Sequence, residues 1–137
     1  MLVDATCAPA DVAYPTDLNL LNEAREKPEA IIDTLYQPLA GNVEKPRTYR
    51  NQARKAFLSV SKQRQPKEKT IRKALKKQLS YVGRGLRIIG ELTKHTPLTV
   101  LKKTTYRHLL VIHELYRQQQ EMMKQGVHRV EHRIVSI

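Results

Sequence analysis

The part of the sequence that most constrains the fold is residues 70–92, where apolar residues recur at α-helical spacing. At about 100° per residue, six of them fall within one sector of roughly 80°: Ile71, Leu75, Leu79, Val82, Leu86 and Ile89. The opposite side carries cations: Lys69, Arg72, Lys73, Lys76, Lys77, Arg84 and Arg87. One side of this helix therefore packs against a protein core. The other side either faces solvent or lies along a polyanion.

Charge is distributed unevenly along the chain. The net charge is +12, but residues 1–40 hold seven acids and two bases, which gives −5. Residues 41–137 hold 23 bases and six acids, which gives +17, and the two parts sum to +12. An acidic N-terminal part on a basic body is typical of proteins that bind nucleic acid or another anionic surface.

Length and composition indicate one small domain. A chain of 137 residues can bury a modest core. No apolar run approaches the roughly 18 residues needed to span a bilayer, so we expect no membrane partner and no signal peptide. Cys7 is the sole cysteine, which excludes a disulfide framework and a cysteine-based zinc site. We therefore expect a cytoplasmic protein.

An N-terminal helix is predicted over residues 17–36, with Thr16 or Asp17 as its N-cap. Pro28 lies inside this pattern and is expected to kink or break the helix, because it removes one backbone donor and clashes with the preceding turn. Three glutamates are expected to mark its solvent side: Glu23, Glu26 and Glu29.

Three further helices complete the predicted helical body. Helices at 48–63 and 66–93, joined by a turn around Gln65-Pro66, are expected to form an antiparallel hairpin. A last helix at 103–124 carries apolar residues on more than one face and is predicted to be the most buried. Glycines in the second half of the 66–93 helix would permit close approach of a neighbouring helix: Gly83, Gly85 and Gly90.

Both ends of the chain have the composition of β-strands. Residues 1–6 form a short apolar run interrupted by Asp4. A charge inside such a strand costs several kcal/mol unless it is paired, hydrogen-bonded or bound to a metal, although Asp4 could equally cap a turn at the strand end. Residues 129–137 are rich in β-branched side chains, and no turn residue ends them. This second strand suggests truncation.

Several stretches together resemble a known family. They are residues 2–11 (LVDATCAPAD) with 14–25 (YPTDLNLLNEAR), then 45–50 (KPRTYR), 109–119 (LLVIHELYRQQ) and 133–137 (RIVSI). These stretches resemble the DDE-type transposases of bacterial insertion sequences, in the group named after insertion sequence five. The resemblance extends over essentially the whole chain.

The resemblance implies that Asp4 is the first carboxylate of a catalytic Asp-Asp-Glu triad on a ribonuclease-H-like sheet, and a ligand for Mg²⁺ or Mn²⁺. Two such ions would hold the attacking and leaving oxygens of a phosphodiester in the intact parent. One aspartate cannot hold that pair of ions. We therefore expect a fragment, truncated at both ends, that lacks the second Asp and the Glu and binds no metal stably.

The expected fold is mainly α. An α-helical insertion at 16–126 is flanked by a first catalytic strand and loop at 1–15 and by the start of the next strand at 127–137. These two short strands would belong to an incomplete ribonuclease-H-like sheet, and they could pair with each other.

DNA is the expected partner of the basic segment 45–107, which holds 19 bases and two acids, a charge of +17. Tyr49, Phe57 and Tyr81 are predicted to face the core, which disfavours base stacking on single strands. Contacts to phosphates would therefore dominate and fall steeply with salt. The predicted DNA contacts are Arg47, Arg50, Arg54, Lys55, Lys69, Arg72, Lys73, Lys76, Lys77, Arg84 and Arg87.

Two other functions fit the same residues. The chain could be a stand-alone basic helical module that binds nucleic acid without chemistry. It could also be a helical fragment that pairs with a full-length transposase and interferes with it. The sequence does not separate these two alternatives.

Overall fold

The structure is a computed structural model that describes residues 16–127, 130 and 132–137. This part of the chain is mainly helical, as predicted. Its four α-helices are α1 (Thr16–Tyr36), α2 (Arg50–Ser61), α3 (Glu68–Leu92) and α4 (Lys103–Gln125), with short 3-10 turns at Gln37–Leu39 and Leu98–Val100. Each predicted helix limit lies within two residues of the observed one. The predicted strand at 1–6, with Asp4, lies outside the described residues.

Helix α3 is oriented as its sequence pattern predicts. Leu75, Leu79 and Val82 are buried on its apolar side, whereas Lys73 and Lys76 on the opposite side are exposed. Burial of each large apolar side chain contributes roughly 1.5–3 kcal/mol. This burial outweighs the poor helix propensity of the glycines in the second half of α3.

Helix α1, rather than α4, is the most deeply buried helix. It contacts each of the other three helices, and Leu18, Leu21 and Ile32 along it are completely buried. In α4 Ile112 is completely buried, but the neighbouring Leu110 is 53% exposed. The prediction that α4 is the most buried helix is wrong, because part of its apolar surface, including Tyr106 and Leu110, is exposed.

Pro28 does not interrupt α1, which is helical from Thr16 to Tyr36. The predicted break is therefore wrong. The proline is fully buried, and a Cβ atom placed on Gly85 of α3 would lie 3.2 Å from the Cβ of Pro28. Because Gly85 has no side chain, α3 accommodates the proline ring at this crossing.

Gly83 provides the corresponding space for α4. A Cβ atom on Gly83 would overlap the hydroxyl of Tyr116 and lie 2.8 Å from its Cζ. The predicted close approach is thus confirmed at Gly83 and Gly85, whereas the Cβ position of Gly90 has no neighbour within 4 Å. Near the C-terminal end of α4, Lys124 shares a groove with Lys76 in the first half of α3. The two helices therefore run antiparallel.

A buried polar cluster connects α1 to α2 and α3. The Arg25 guanidinium, 3% exposed, donates from Nη1 to Glu29 Oε2 at 2.6 Å and from Nε to Gln78 Oε1 at 3.0 Å. Gln78 donates in turn to the carbonyl of Ala53 at 3.0 Å. Burial raises the pKa of Glu29, although Arg25 acts in the opposite direction. The prediction that Glu29 marks the solvent side of α1 is therefore wrong.

Residues 130 and 132–137 contain no strand, so the strand predicted at 127–137 is wrong for the part of it that the structure describes. Gln118 of α4 satisfies the backbone there instead. Its Nε2 donates to the His132 carbonyl at 3.0 Å, and its Oε1 accepts from the Ile134 N–H at 2.8 Å. Arg133 pairs with Asp17 of α1. Ile134 and Ile137 pack against the helical core, whereas Val135 is 57% exposed.

None of the described helices combines the length and the apolar character required to cross a membrane. This agrees with the absence of a spanning segment in the sequence.

Candidate nucleic-acid interface

The cations of α3 lie on its exposed side, within a sector of about 140° at 100° per residue. From Lys69 to Arg87 they extend over about 27 Å at 1.5 Å per residue. Arg72 pairs with Glu68 at 3.0 Å, with both side chains about 70% exposed. Such an exposed pair contributes little to stability, so Arg72 can exchange its partner for a ligand anion.

Helix α2 and the loop before it extend this positive surface. Arg47, Arg54 and Lys55 are exposed, and Lys73 and Lys77 line a shallow groove between α3 and α2. We call these exposed cations the basic face. Its members are Arg47, Arg54, Lys55, Lys69, Arg72, Lys73, Lys76, Lys77 and Arg87. Apart from Arg72, none of them forms an ion pair with another described residue.

Arg50, also predicted to contact DNA, is held by acceptors of the protein itself. Its Nη1 and Nη2 donate to the two carboxylate oxygens of Asp33 at 3.1 and 2.8 Å, and its Nε donates to Thr48 Oγ1 at 3.3 Å. Lys45 donates to the same carboxylate at 2.6 Å. Partial burial raises the pKa of Asp33, but these hydrogen bonds outweigh it and hold the pKa below its ordinary value.

Arg84 is likewise half-buried and engaged internally. Its Nε donates to the Arg47 carbonyl at 2.9 Å, and its Cζ lies 4.6 Å from the centre of the Tyr49 ring. Arg50 and Arg84 therefore fix the loop at 45–49 against α1 and α3. Of the eleven predicted DNA contacts, these two position the loop, while the other nine form the basic face.

Tyr49 differs from its sequence-based prediction. The residue precedes α2, has φ of 57° and is 38% exposed, so it does not face the core. Phe57 and Tyr81 are half-buried. Periodicity could not reveal the position of Tyr49, because the residue lies in a loop where no helical period applies.

A cleft of about 430 Å³ lies beside Tyr49, lined by residues 45–52. Lys45, Arg47 and Arg50 make its walls cationic. The first turn of α2 also contributes positive charge to the cleft, since the N-terminal end of a helix carries free N–H groups and a positive partial charge.

The described residues include no group of three or more His, Cys, Asp or Glu side chains placed to hold a metal ion. Asp4, predicted to be catalytic and to bind Mg²⁺ or Mn²⁺, lies outside the described residues. Its role stays a prediction, and no chemical step follows from the described geometry.

Comparison with known proteins finds no matching family model, no similar curated protein and no similar solved structure. The likeness to DDE-type transposases therefore rests on the sequence stretches quoted above.

Proposed function

We propose that this chain binds DNA through its basic face and corresponds to the helical insertion of a DDE-type transposase. The observation that carries the proposal is a group of nine exposed cations on α2, α3 and the loop before α2, eight of them without an ion-pair partner among the described residues. Charges left unpaired next to one another repel, and a polyanion relieves that repulsion. The sequence resemblance supports DNA as the polyanion.

The basic face suits the phosphate backbone of a duplex. Five of its cations lie between Lys69 and Lys77, over about 12 Å of α3, and Arg87 lies about 15 Å further along. The total length of about 27 Å corresponds to roughly eight phosphates of one strand at 3.4 Å each. Lysine supplies most of the cations on α3, and a lysine ammonium binds phosphate as a point charge without fixed geometry. Contacts of this kind position a protein on DNA but carry little sequence information.

Salt-dependent binding tests the proposal. Fluorescence anisotropy with a 30-base-pair duplex between 50 and 200 mM NaCl gives log K against log salt concentration. The variant carries four changes to glutamine at Arg72, Lys73, Lys76 and Lys77. Each lost phosphate contact lowers the slope by about 0.9, so we expect a reduction of about 3 to 4 and a loss of affinity of at least ten-fold.

A matched control removes the same charge elsewhere. Lys94, Lys102, Lys103 and Arg107 are exposed residues at the opposite end of α3 and at the start of α4. Their change to glutamine lowers the net charge equally and should leave most of the affinity intact. Equal losses in the two variants would mean that net charge, and not the basic face, determines binding.

The resemblance to transposases also makes a chemical prediction. We expect the purified chain not to nick transposon-end DNA with Mg²⁺ or Mn²⁺, and we expect Asp4→Asn to leave DNA binding unchanged. Nicking that disappears in Asp4→Asn would overturn the first expectation. Co-purification with a full-length transposase would identify the chain as its partner, as opposed to a module that acts only on DNA.

A further inference from the structure

We propose that the cleft at residues 45–52 binds one unpaired nucleotide, with its base stacked on Tyr49 and its phosphate held by the cations of the loop. This inference rests on the proposed DNA binding and adds a site that the duplex-binding surface of α3 does not require. Four observations on the loop carry it.

The first observation is the backbone of Tyr49. Its φ of 57° places a bulky residue in the left-handed region, which glycine, asparagine and aspartate occupy at lower cost. A helix N-cap normally has an extended conformation and a side chain that accepts from the first turn. Tyr49 provides no such hydrogen bond. Its side chain therefore does not serve the helix as a cap, and a strained residue of this kind points to a role in binding.

The second observation is how the ring is held. The Arg84 guanidinium lies 4.6 Å from its centre, and the same side chain donates to the Arg47 carbonyl at 2.9 Å. Arg84 thus fixes both the ring and the main chain next to it. The ring is nevertheless 38% exposed. A fixed, exposed aromatic ring next to cations is the arrangement on which proteins stack unpaired bases.

The third and fourth observations are the size and the charge of the cleft. The cleft has a volume of about 430 Å³ and is open to solvent, so the exposed Tyr49 ring is accessible to a nucleotide. Of the cations that line it, Lys45 and Arg50 are held by Asp33, whereas Arg47 forms no ion pair with another described residue. Arg47 is therefore the cation available to the phosphate, and Asp33 keeps the other two in place.

The test compares two DNA probes of equal charge. Each is a 20-base-pair duplex with a five-nucleotide single-stranded tail, and the tail carries either bases or abasic sites. We expect the wild-type chain to bind the base-bearing tail about ten-fold more tightly, since stacking on an aromatic ring has an effect of that order. Tyr49→Phe should retain this ratio, because the ring remains.

Two variants remove the ring in different ways. Tyr49→Leu keeps the bulk of the side chain, and Tyr49→Gly also relieves the left-handed strain, so at least one of them should fold normally. Both should lower the ratio to about one and leave the affinity for blunt duplex unchanged. Tyr106→Leu serves as the control, because Tyr106 is also an exposed tyrosine but lies on α4. This variant should keep the wild-type ratio of affinities for the two probes.

The possible outcomes separate the two proposals. A wild-type chain that binds duplex with a ratio near one, or a Tyr49→Leu variant that keeps the full ratio, overturns the nucleotide site alone. A chain that binds no duplex contradicts the proposed function and with it this inference.

Discussion

The buried polar cluster and the basic face use the same kinds of side chain for opposite purposes. Arg25 lies in the core, where its guanidinium is bonded to Glu29 and Gln78. Lys73 lies on the surface and has no ion-pair partner among the described residues. A buried charge must be paired, so the cluster fixes how α1, α2 and α3 meet. An exposed charge needs no partner, so the basic face is free to bind a ligand.

This difference makes stability and DNA binding separable by mutation. Changes in the buried polar cluster should alter the free energy of unfolding and affect DNA binding only through folding. Changes on the basic face should do the reverse.

The largest effect is expected at Arg25. Arg25→Met leaves the Glu29 carboxylate buried without its cation and Gln78 without its donor, which should lower the free energy of unfolding by about 3–5 kcal/mol. Urea unfolding followed by circular dichroism measures this change.

Two controls show whether the pairing is responsible. Lys27→Met changes a less buried cation two residues along α1 and should stay within about 0.5 kcal/mol. Arg25→Met combined with Glu29→Leu removes both charges and should recover most of the stability. If the double variant is no more stable than Arg25→Met, the loss comes from packing and not from the unpaired carboxylate.

A smaller effect is expected at Gln118, whose buried side-chain amide provides hydrogen bonds to the backbone that a neighbouring strand would otherwise provide. Gln118, 2% exposed, bonds the backbone at His132 and at Ile134. Gln118→Met removes both hydrogen bonds and should lower stability by about 1–3 kcal/mol, since each internal hydrogen bond contributes about 0.5–1.5 kcal/mol. Hydrogen exchange at the Ile134 amide should also become faster. Gln125→Met, at an exposed position on the same helix, should have little effect on either quantity. An unchanged exchange rate in Gln118→Met would contradict the proposed anchoring.

The sequence predicts the helices well because each contains a strong apolar period. The sequence predicts the surroundings of charged residues less well. Periodicity indicates on which side of a helix a residue lies but not which residue it pairs with. Arg25 lies about 20° from both Leu18 and Ile32 on the helical wheel of α1, at 100° per residue, well inside the apolar sector. A cation in that position indicates a buried pair, and this pattern could have identified the cluster.

The strand predicted at 127–137 shows a different limit. β-branched composition favours an extended backbone, but an extended segment becomes a strand only when another backbone supplies its hydrogen bonds. In the described residues of this segment, the Gln118 amide supplies two of them. The position of Tyr49 was unpredictable for a related reason, since contacts with Arg84 from a distant part of the chain determine it.

The same substitution at two positions on one side of α3, about two turns apart, should give opposite results of about 1 kcal/mol. Gly90→Ala has space for the new methyl group and should raise stability by about 0.5–1 kcal/mol, the gain in helix propensity. Gly83→Ala would force the Tyr116 ring to move and disturb its hydrogen bond from Gln120, 2.9 Å long, so it should lower stability by about 1 kcal/mol. Thermal unfolding measures both. Stabilisation by Gly83→Ala would mean that Tyr116 moves aside without cost and that close approach there is not required.

The smallest effects concern pH and compare two acids one turn apart on α1. The pKa of Glu29 is raised by burial above its ordinary 4.5, so the folded state binds its proton more tightly and stability falls as pH rises from 4.5 through the folded pKa. The pKa of Asp33 is lowered below its ordinary 3.8 despite partial burial, because Arg50 and Lys45 bond it. Its contribution is therefore present above pH 3.8 and is lost as pH falls through the folded pKa. Asp33 is 42% exposed, so that contribution should amount to only a few tenths of a kcal/mol.

Urea unfolding at a series of pH values separates the two acids. Relative to Glu29→Gln, the wild-type chain should gain stability as pH decreases toward 4.5, because the buried carboxyl group becomes neutral. Relative to Asp33→Asn, it should lose stability below pH 3.8, because the carboxylate that holds Arg50 and Lys45 is protonated. Suppose that the stability difference between the wild-type chain and each variant changed with pH in the same direction for Glu29→Gln and for Asp33→Asn. Burial would then not distinguish these two acids, although they lie one turn apart on the buried and the exposed parts of α1.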